Sequence, residues 1–154
     1  MKRLQIVMLA LAAAGFLAAP ASAAAALSPG IMATINGTLH AGTPAKMNSY
    51  FTRSSIVIDE FSPYTWTGSK AAQAWWAAVQ SGNAKRHLTN FRATAGRITQ
   101  YDVSGPMAYV VVPLKITWMQ KGKPGSETGL WTLIMRRMGT SWKITTASWA
   151  RTSM

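Results

Sequence analysis

The sequence predicts an α+β domain in which a curved antiparallel sheet closes over three helices of the N-terminal half. Three observations carry this expectation. Helix-period patterns lie before Gly82, whereas Ala108 to Arg151 reads as long strands separated by the turn signals Lys121–Gly125 (KGKPG) and Gly139-Thr140. Between the two regions, Ile56 to Trp76 (IVIDEFSPYTWTGSKAAQAWW) reads as a strand, a short extended piece, a Gly-Ser break and a helix. Helices first and a meander last is an α+β order, and a strongly bent sheet on three helices leaves a conical space at one end, the natural place for a pocket.

The chain opens with MKRLQIVMLALAAAGFLAAPASA, residues 1–23. Lys2 and Arg3 form a basic head, Leu4 to Ala19 is apolar, and Ala21-Ser22-Ala23 is a small-x-small cleavage signature, so a secretory signal peptide is expected. Residues 24–154 are then a single domain, periplasmic or secreted, without a transmembrane helix. The register of cleavage is blurred by Ala24 to Ala26. With no Cys in the chain, packing alone must hold the exported domain, and a lipid-modified Cys is excluded.

The first predicted helix follows Ser28-Pro29, with Ile31, Ile35 and Leu39 on one face and Asn36-Gly37 as a weak point. Thr43-Pro44 opens a second, short helix to about Phe51, burying Met47, Tyr50 and Phe51. Ile56-Val57-Ile58 is a β-branched run suited to a strand, and Asp59 stands at its end. Ser69 is the expected N-cap of a third helix with Ala72, Trp75, Trp76 and Val79 spaced three and four apart, and Gly82-Asn83 is its expected stop. Phe91 to Val103 reads as extended, with Gly96 as a bulge, and Ser104-Gly105-Pro106 as a turn. In the long strand from Ala108 to Gln120, Val110, Val112, Leu114, Ile116 and Trp118 share a face. Glu127 to Met138 returns with Gly129, Trp131, Leu133 and Met135 on one face. The last strand, Trp142 to Arg151, places Trp142 and Ile144 on one side and Trp149 on the other.

Composition narrows the function classes. Sixteen Lys and Arg face four Asp and Glu, a formal charge of +12, which becomes +10 once Lys2 and Arg3 are removed. Such an excess attracts anionic surfaces. The bases are scattered, with Lys85-Arg86, Lys121 with Lys123, and Arg136-Arg137 as the tightest groups. A basic solvated surface, at most a weak anionic envelope partner, is expected rather than specific nucleic-acid binding. His40 and His87 are far apart and acids are few, so no metal site is expected, and no phosphate loop or nucleophile elbow implies a cofactor or a serine hydrolase. Asp59 among aromatics has two readings: a desolvated base or ligand partner, or a carboxylate paired with one of the many basic residues.

Three segments resemble the nuclear transport factor 2-like superfamily and, within it, secreted SnoaL-like and ketosteroid-isomerase-like proteins. They are IVIDEFSPYTWTGSKAAQAWWAAV, VSGPMAYVVVPLKITWMQKGKP and ETGLWTLIMRRMGTSWKITTASW. The resemblance implies a cone-shaped α+β barrel with a pocket, often a homodimer through the sheet. It also places a general-base aspartate nine residues before the Gly ahead of the third helix, where Asp59 precedes Gly68. The oxyanion-hole residues of the isomerases, a Tyr on the first helix and an Asp on a late strand, find no match. The leading expectation is therefore an exported domain that binds a small apolar or aromatic molecule without a well-formed catalytic site. Asp59 is the candidate base, and Tyr50, Tyr64, Trp66, Trp75, Trp118 and Trp131 are the candidate pocket residues. The alternatives are an envelope interaction module acting through sheet dimerisation and a basic surface, and an isomerase- or cyclase-like enzyme with Asp59 as a lone base.

Overall fold

The computed structural model describes residues 28–153. The predicted signal peptide lies outside the described residues. The elements run α1 (Pro29–Leu39), α2 (Pro44–Asn48), β1 (Phe51–Ile58), β2 (Thr65–Gly68), α3 (Ala71–Lys85), β3 (Leu88–Ala95), β4 (Gln100–Ser104), β5 (Met107–Gln120), β6 (Lys123–Met138) and β7 (Ser141–Ser153). One sheet is ordered β2-β1-β7-β6-β5-β3, with β4 also paired to β5. The α+β class is as predicted, with one correction. The sheet is mixed, because β1 runs parallel to β7 while the other pairs are antiparallel. The N-terminal helices carry the chain back across the molecule, so β1 joins the last strand from the same end.

The inward faces of β5 and β6 are those read from the alternation. Val110, Val112, Leu114, Leu133 and Met135 meet Ile31 and Ile35 of α1 in one core. Both long hairpins turn on two residues. Lys121 and Gly122 have φ of 50° and 77°, the doubly positive pair that matches the twist of the flanking strands. That turn starts β6 at Lys123, four residues before the predicted Glu127.

Several predicted details move, each for a local reason. Ser69 does not cap α3; the N-cap is Lys70, and Asn48 of α2 supplies the side-chain oxygen, accepting from the Gln73 N–H at 3.2 Å while its amide donates to the Ser69 carbonyl at 2.8 Å. Gly82-Asn83 does not stop α3, which continues to Lys85, with Asn83 buried and accepting from Arg86 at 3.2 Å. Gly96 is a break rather than a bulge within one strand: the edge divides into β3 and β4 opposite Pro113, whose carbonyl accepts from the Gly96 N–H at 2.7 Å. Proline there has no N–H to offer the edge, so the interrupted pairing leaves no lost donor.

The most consequential change lies in β7. Its register to β6 shifts between the pairs Ile134↔Thr146 and Met135↔Ile144. One residue, Thr145, is extra, and its hydroxyl donates to the Ile134 carbonyl at 3.0 Å. A single-residue bulge exchanges the two faces of everything after it. Trp142 and Ile144 point inward before it, and Ala147 and Trp149 point inward after it, so Trp149 is not on the outer face as the alternation implied.

Gly129 is fixed by this arrangement. A Cβ there would lie 2.4 Å from the Trp149 ring and 2.5 Å from the Ala150 carbonyl oxygen, a backbone atom that cannot swing away. Gly129→Ala is therefore expected to lower unfolding stability by about 1–3 kcal/mol, the usual cost of overpacking. Urea denaturation checks this, and a variant as stable as the parent would show that Trp149 does not lie across residue 129.

Candidate functional site

The open end of the cone is a cleft of about 1210 Å³ between α3, the β1–β2 connection and the inner face of the sheet. Its floor is apolar: Met47, Leu114, Ile116, Phe91, Trp131 and Trp149. One wall is α3, where Trp75 and Trp76 lie side by side with ring centres 5.8 Å apart, and Trp76 meets Phe91 at 6.5 Å. Leu114 and Ile116 reach the floor because the sheet curves around α3, turning the inner face of β5 towards it.

Asp59 stands at the rim, one residue beyond β1, and is only 9% exposed. The segment after it closes on itself. The Asp59 N–H donates to the Tyr64 carbonyl at 3.0 Å, and the Tyr64 N–H to the Phe61 carbonyl at 2.8 Å. One carboxylate oxygen accepts from the Glu60 N–H at 2.7 Å; the other accepts from the Trp75 indole N–H, also at 2.7 Å. Burial pushes the Asp59 carboxyl above the ordinary aspartate range; the indole and the Glu60 N–H act against this, and the Glu60 charge adds to it. The result is a carboxylate held in one orientation, yet less comfortable as an anion than it would be in water.

Three of the four acids of the chain meet at this rim. Arg151 bridges two of them, at 2.8 Å to Glu60 and 3.7 Å to Glu127. Arg151 reaches the cleft because the Thr145 bulge turns it to the same face as Trp149. Burial raises the Glu127 carboxyl as well, helped by the Glu60 and Asp59 charges and opposed by Arg151 and Arg86. Among the described residues, no group of three or more His, Asp or Glu has an arrangement that could hold a metal ion.

The sequence-predicted pocket residues divide. Asp59, Trp75 and Trp131 line the cleft. Tyr50 does not: its ring packs over Gly37 of α1, and Lys46 lies 5.4 Å from the ring centre. Tyr64 is 60% exposed in the loop, with φ of 69°. Trp66 is buried at the sheet edge on Phe61, with ring centres 5.2 Å apart. Trp118 folds over Gly125 beside a separate shallow groove of about 560 Å³. Sequence reasoning missed Trp149, Glu127, Arg151 and Phe91 as cleft residues. Trp76 was predicted only as part of the apolar face of its helix. The only available signal for Trp149 and Arg151 was the Thr145-Thr146 pair, and it does not mark which residue bulges.

A SnoaL-like domain model matches residues 31–149. Solved structures agree on the fold. A nuclear transport factor 2-like superfamily protein from Salmonella enterica is 14% identical, with a TM-score of 0.65, covering 80% of this chain and 89% of its own. A ketosteroid isomerase-like protein from Erwinia carotovora is 15% identical, with a TM-score of 0.62 and coverage of 81% and 95%. A protein of unknown function from Mycobacterium tuberculosis is 15% identical, with a TM-score of 0.65 and coverage of 80% and 75%. A search of curated proteins finds no match.

The raised Asp59 pKa fixes the sign of a pH effect. The folded protein holds the proton more tightly than the unfolded chain does. The associated stability is therefore complete below the unfolded pKa, near 4, and is lost as pH rises through the folded value. Asp59→Asn removes this loss. Its stability relative to the parent should accordingly rise as the pH increases above about 4. Chemical denaturation at a series of pH values measures it, and a difference that stays flat or falls would contradict the buried placement.

Proposed function

The chain belongs to the SnoaL-like domain family, and on that premise we propose that it binds a small, largely apolar or aromatic molecule in the open end of its cone. The fold is one that commonly binds small molecules or carries isomerase-type chemistry, and fold alone does not choose between these. The observation that carries the reading is the Asp59–Trp75 pair: a buried carboxylate fixed by an indole N–H at the rim of a Trp-lined cleft. Ligand sites combine an apolar lining with a few placed polar groups, and this cleft has that composition. Asp59 accepts one hydrogen bond on each oxygen, and a carboxylate has further lone pairs, so a ligand hydroxyl or N–H can be its third donor.

A second reading, proton transfer by Asp59, draws on the upward shift of its carboxyl. A base of raised pKa is better matched to neutral pH. Sequence offered no oxyanion-hole partners, and in the structure the neighbouring acid Glu127 is engaged with Arg151. Binding with orientation thus needs fewer parts than turnover. We also propose export to the periplasm or medium, on the strength of the leader sequence, and a homodimer through the outer face of the sheet. On that face Ile56, Ile58, Tyr109 and Leu130 are exposed together.

Calorimetric titration with a matched pair of probes, 2-naphthol and naphthalene, tests the binding proposal. The hydroxylated probe should bind more tightly, and Asp59→Ala should weaken it about 10–100-fold, the range for a hydrogen bond to a charged group, while leaving naphthalene within a few-fold. Absence of binding by both probes, or equal loss for both, would remove Asp59 as the orienting group. For the dimer, Leu130→Glu should convert a dimeric sedimentation profile into a monomeric one; a parent protein that sediments as a monomer at 100 μM or so would end that proposal.

A further inference from the structure

The two ends of the β6–β7 hairpin differ in charge. Glu127 on β6 and Arg151 on β7 sit at the cleft end, where Asp59 and Glu60 join them. Twelve residues beyond Glu127, about 40 Å at the rise of an extended strand, the hairpin turns at Gly139-Thr140. At this opposite end the chain places Arg136, Arg137 and Lys143, and no ion pair involves any of them among the described residues. Arg136 and Lys143 are directly opposed in the ladder. Like charges in facing positions destabilise a strand pair. Lys143 donates to the Ser49 carbonyl, which ties the C-terminal end of α2, and with it Lys46, to the same end of the molecule.

Met138 stands two residues beyond Arg136 on the same face and is 54% exposed, the most exposed of the large aliphatic side chains among the described residues. A flexible apolar side chain, outside the core and beside a turn that carries Arg136, Arg137 and Lys143, contributes little to packing in the monomer. Its position suits shallow insertion between lipid headgroups, with the neighbouring cations at the depth of the phosphates. Among the described residues no helix is long and apolar enough to cross a membrane, so such contact would be peripheral.

We infer that the β6–β7 turn, through Arg136, Arg137, Lys143 and Met138, is a contact site for anionic lipid surfaces. Docked by this end, the protein holds its cleft some 30 Å or more away from the surface, open to solvent. The segregation of charge supports a lipid rather than a second copy of the chain. Three of the four acids lie at the cleft, Glu60 and Glu127 engaged there by Arg151, which leaves Asp102 alone, on β4 and two residues from the Arg136 row of the ladder, to answer the basic tip of another copy.

Co-sedimentation of the full chain with phosphatidylglycerol-containing and with pure phosphatidylcholine vesicles tests the inference. The apolar segment Leu4–Ala19 is common to every variant, so differences between variants report the tip. Arg136→Gln with Arg137→Gln should weaken binding to the anionic vesicles at least tenfold, at about fivefold per charge near the surface. Lys121→Gln with Lys123→Gln removes equal charge from the other hairpin and should change binding less than threefold. Met138→Ser keeps every charge and should weaken the binding that survives at high salt. Equal losses from the two double variants would reduce the effect to net charge and overturn the site. So would a loss in the arginine double variant that is the same on neutral as on anionic vesicles, or a short DNA duplex bound as tightly through the same arginines.

Discussion

The structure turns on one extra residue. At Thr145 the last strand takes a bulge that exchanges its faces half-way along its length. Before the bulge, Trp142 and Ile144 close the core against α1; after it, Ala147, Trp149 and Arg151 face the helix side, towards α3. Without the bulge a strict alternation would turn Trp149 outwards and place Thr146 and Ser148 against the core. The cost is an unpaired ladder position, and the Thr145 hydroxyl offsets part of it by donating to the Ile134 carbonyl. The same place disturbs the parallel pairing to β1, whose register jumps between Phe51 and Ile56 while β7 advances only from Ile144 to Thr146. Bulges add twist and bend to a strand, and both neighbours of the bend follow it. The curvature that makes a cone, and therefore a cleft, is thus tied to the residue that delivers the cleft its Trp and its Arg.

That geometry explains why Asp59 can be buried at all. An isolated carboxylate in an apolar setting is unfavourable, and the chain answers with donors that are already in place. The Glu60 N–H is available because the loop turns immediately after β1; the Trp75 indole is available because α3 packs against that strand. α3 in turn is located by Asn48, which caps its first turn from α2. A line of short contacts therefore runs from the second helix through the third to the carboxylate. Neither donor fully compensates for lost hydration, and the direction of the shift in Asp59 records the remainder.

Much of the fold was legible because its signals are local and periodic. The faces of β5 and β6 follow from alternation alone, and the turns follow from Gly, Lys-Gly and Gly-Thr at the right intervals. The cleft was legible only where its residues sit on regular elements close to Asp59, as with Trp75, one turn into α3. Trp131 was readable as inward-facing. Tyr64 and Trp66 were near Asp59 in sequence, but the loop from Asp59 to Tyr64 closes on itself and turns them away from the opening. Trp149 and Arg151 were hidden by the bulge, and Glu127 by a turn shorter than KGKPG suggests. The parallel seam between β1 and β7 has no local signature, because it is set by how two helices return the chain.

Charge is the last constraint that the cleft imposes. In a chain with sixteen basic residues and four acids, gathering three acids at one rim leaves Asp102 as the sole acid elsewhere. The outer surface is therefore almost uniformly positive, whereas the rim holds three carboxyls around Arg151, with Arg86 near Glu127. Such a surface has a potential that attracts anions at long range, whereas at the rim burial already raises the Asp59 and Glu127 carboxyls, which favours a neutral group beside them. The basic residues reach the cleft as well, through Lys85, Arg86, Arg92 and Arg151, so its lining carries both signs of charge around an apolar floor, and the placement of the rim carboxyls rather than the net charge of the chain sets its local chemistry.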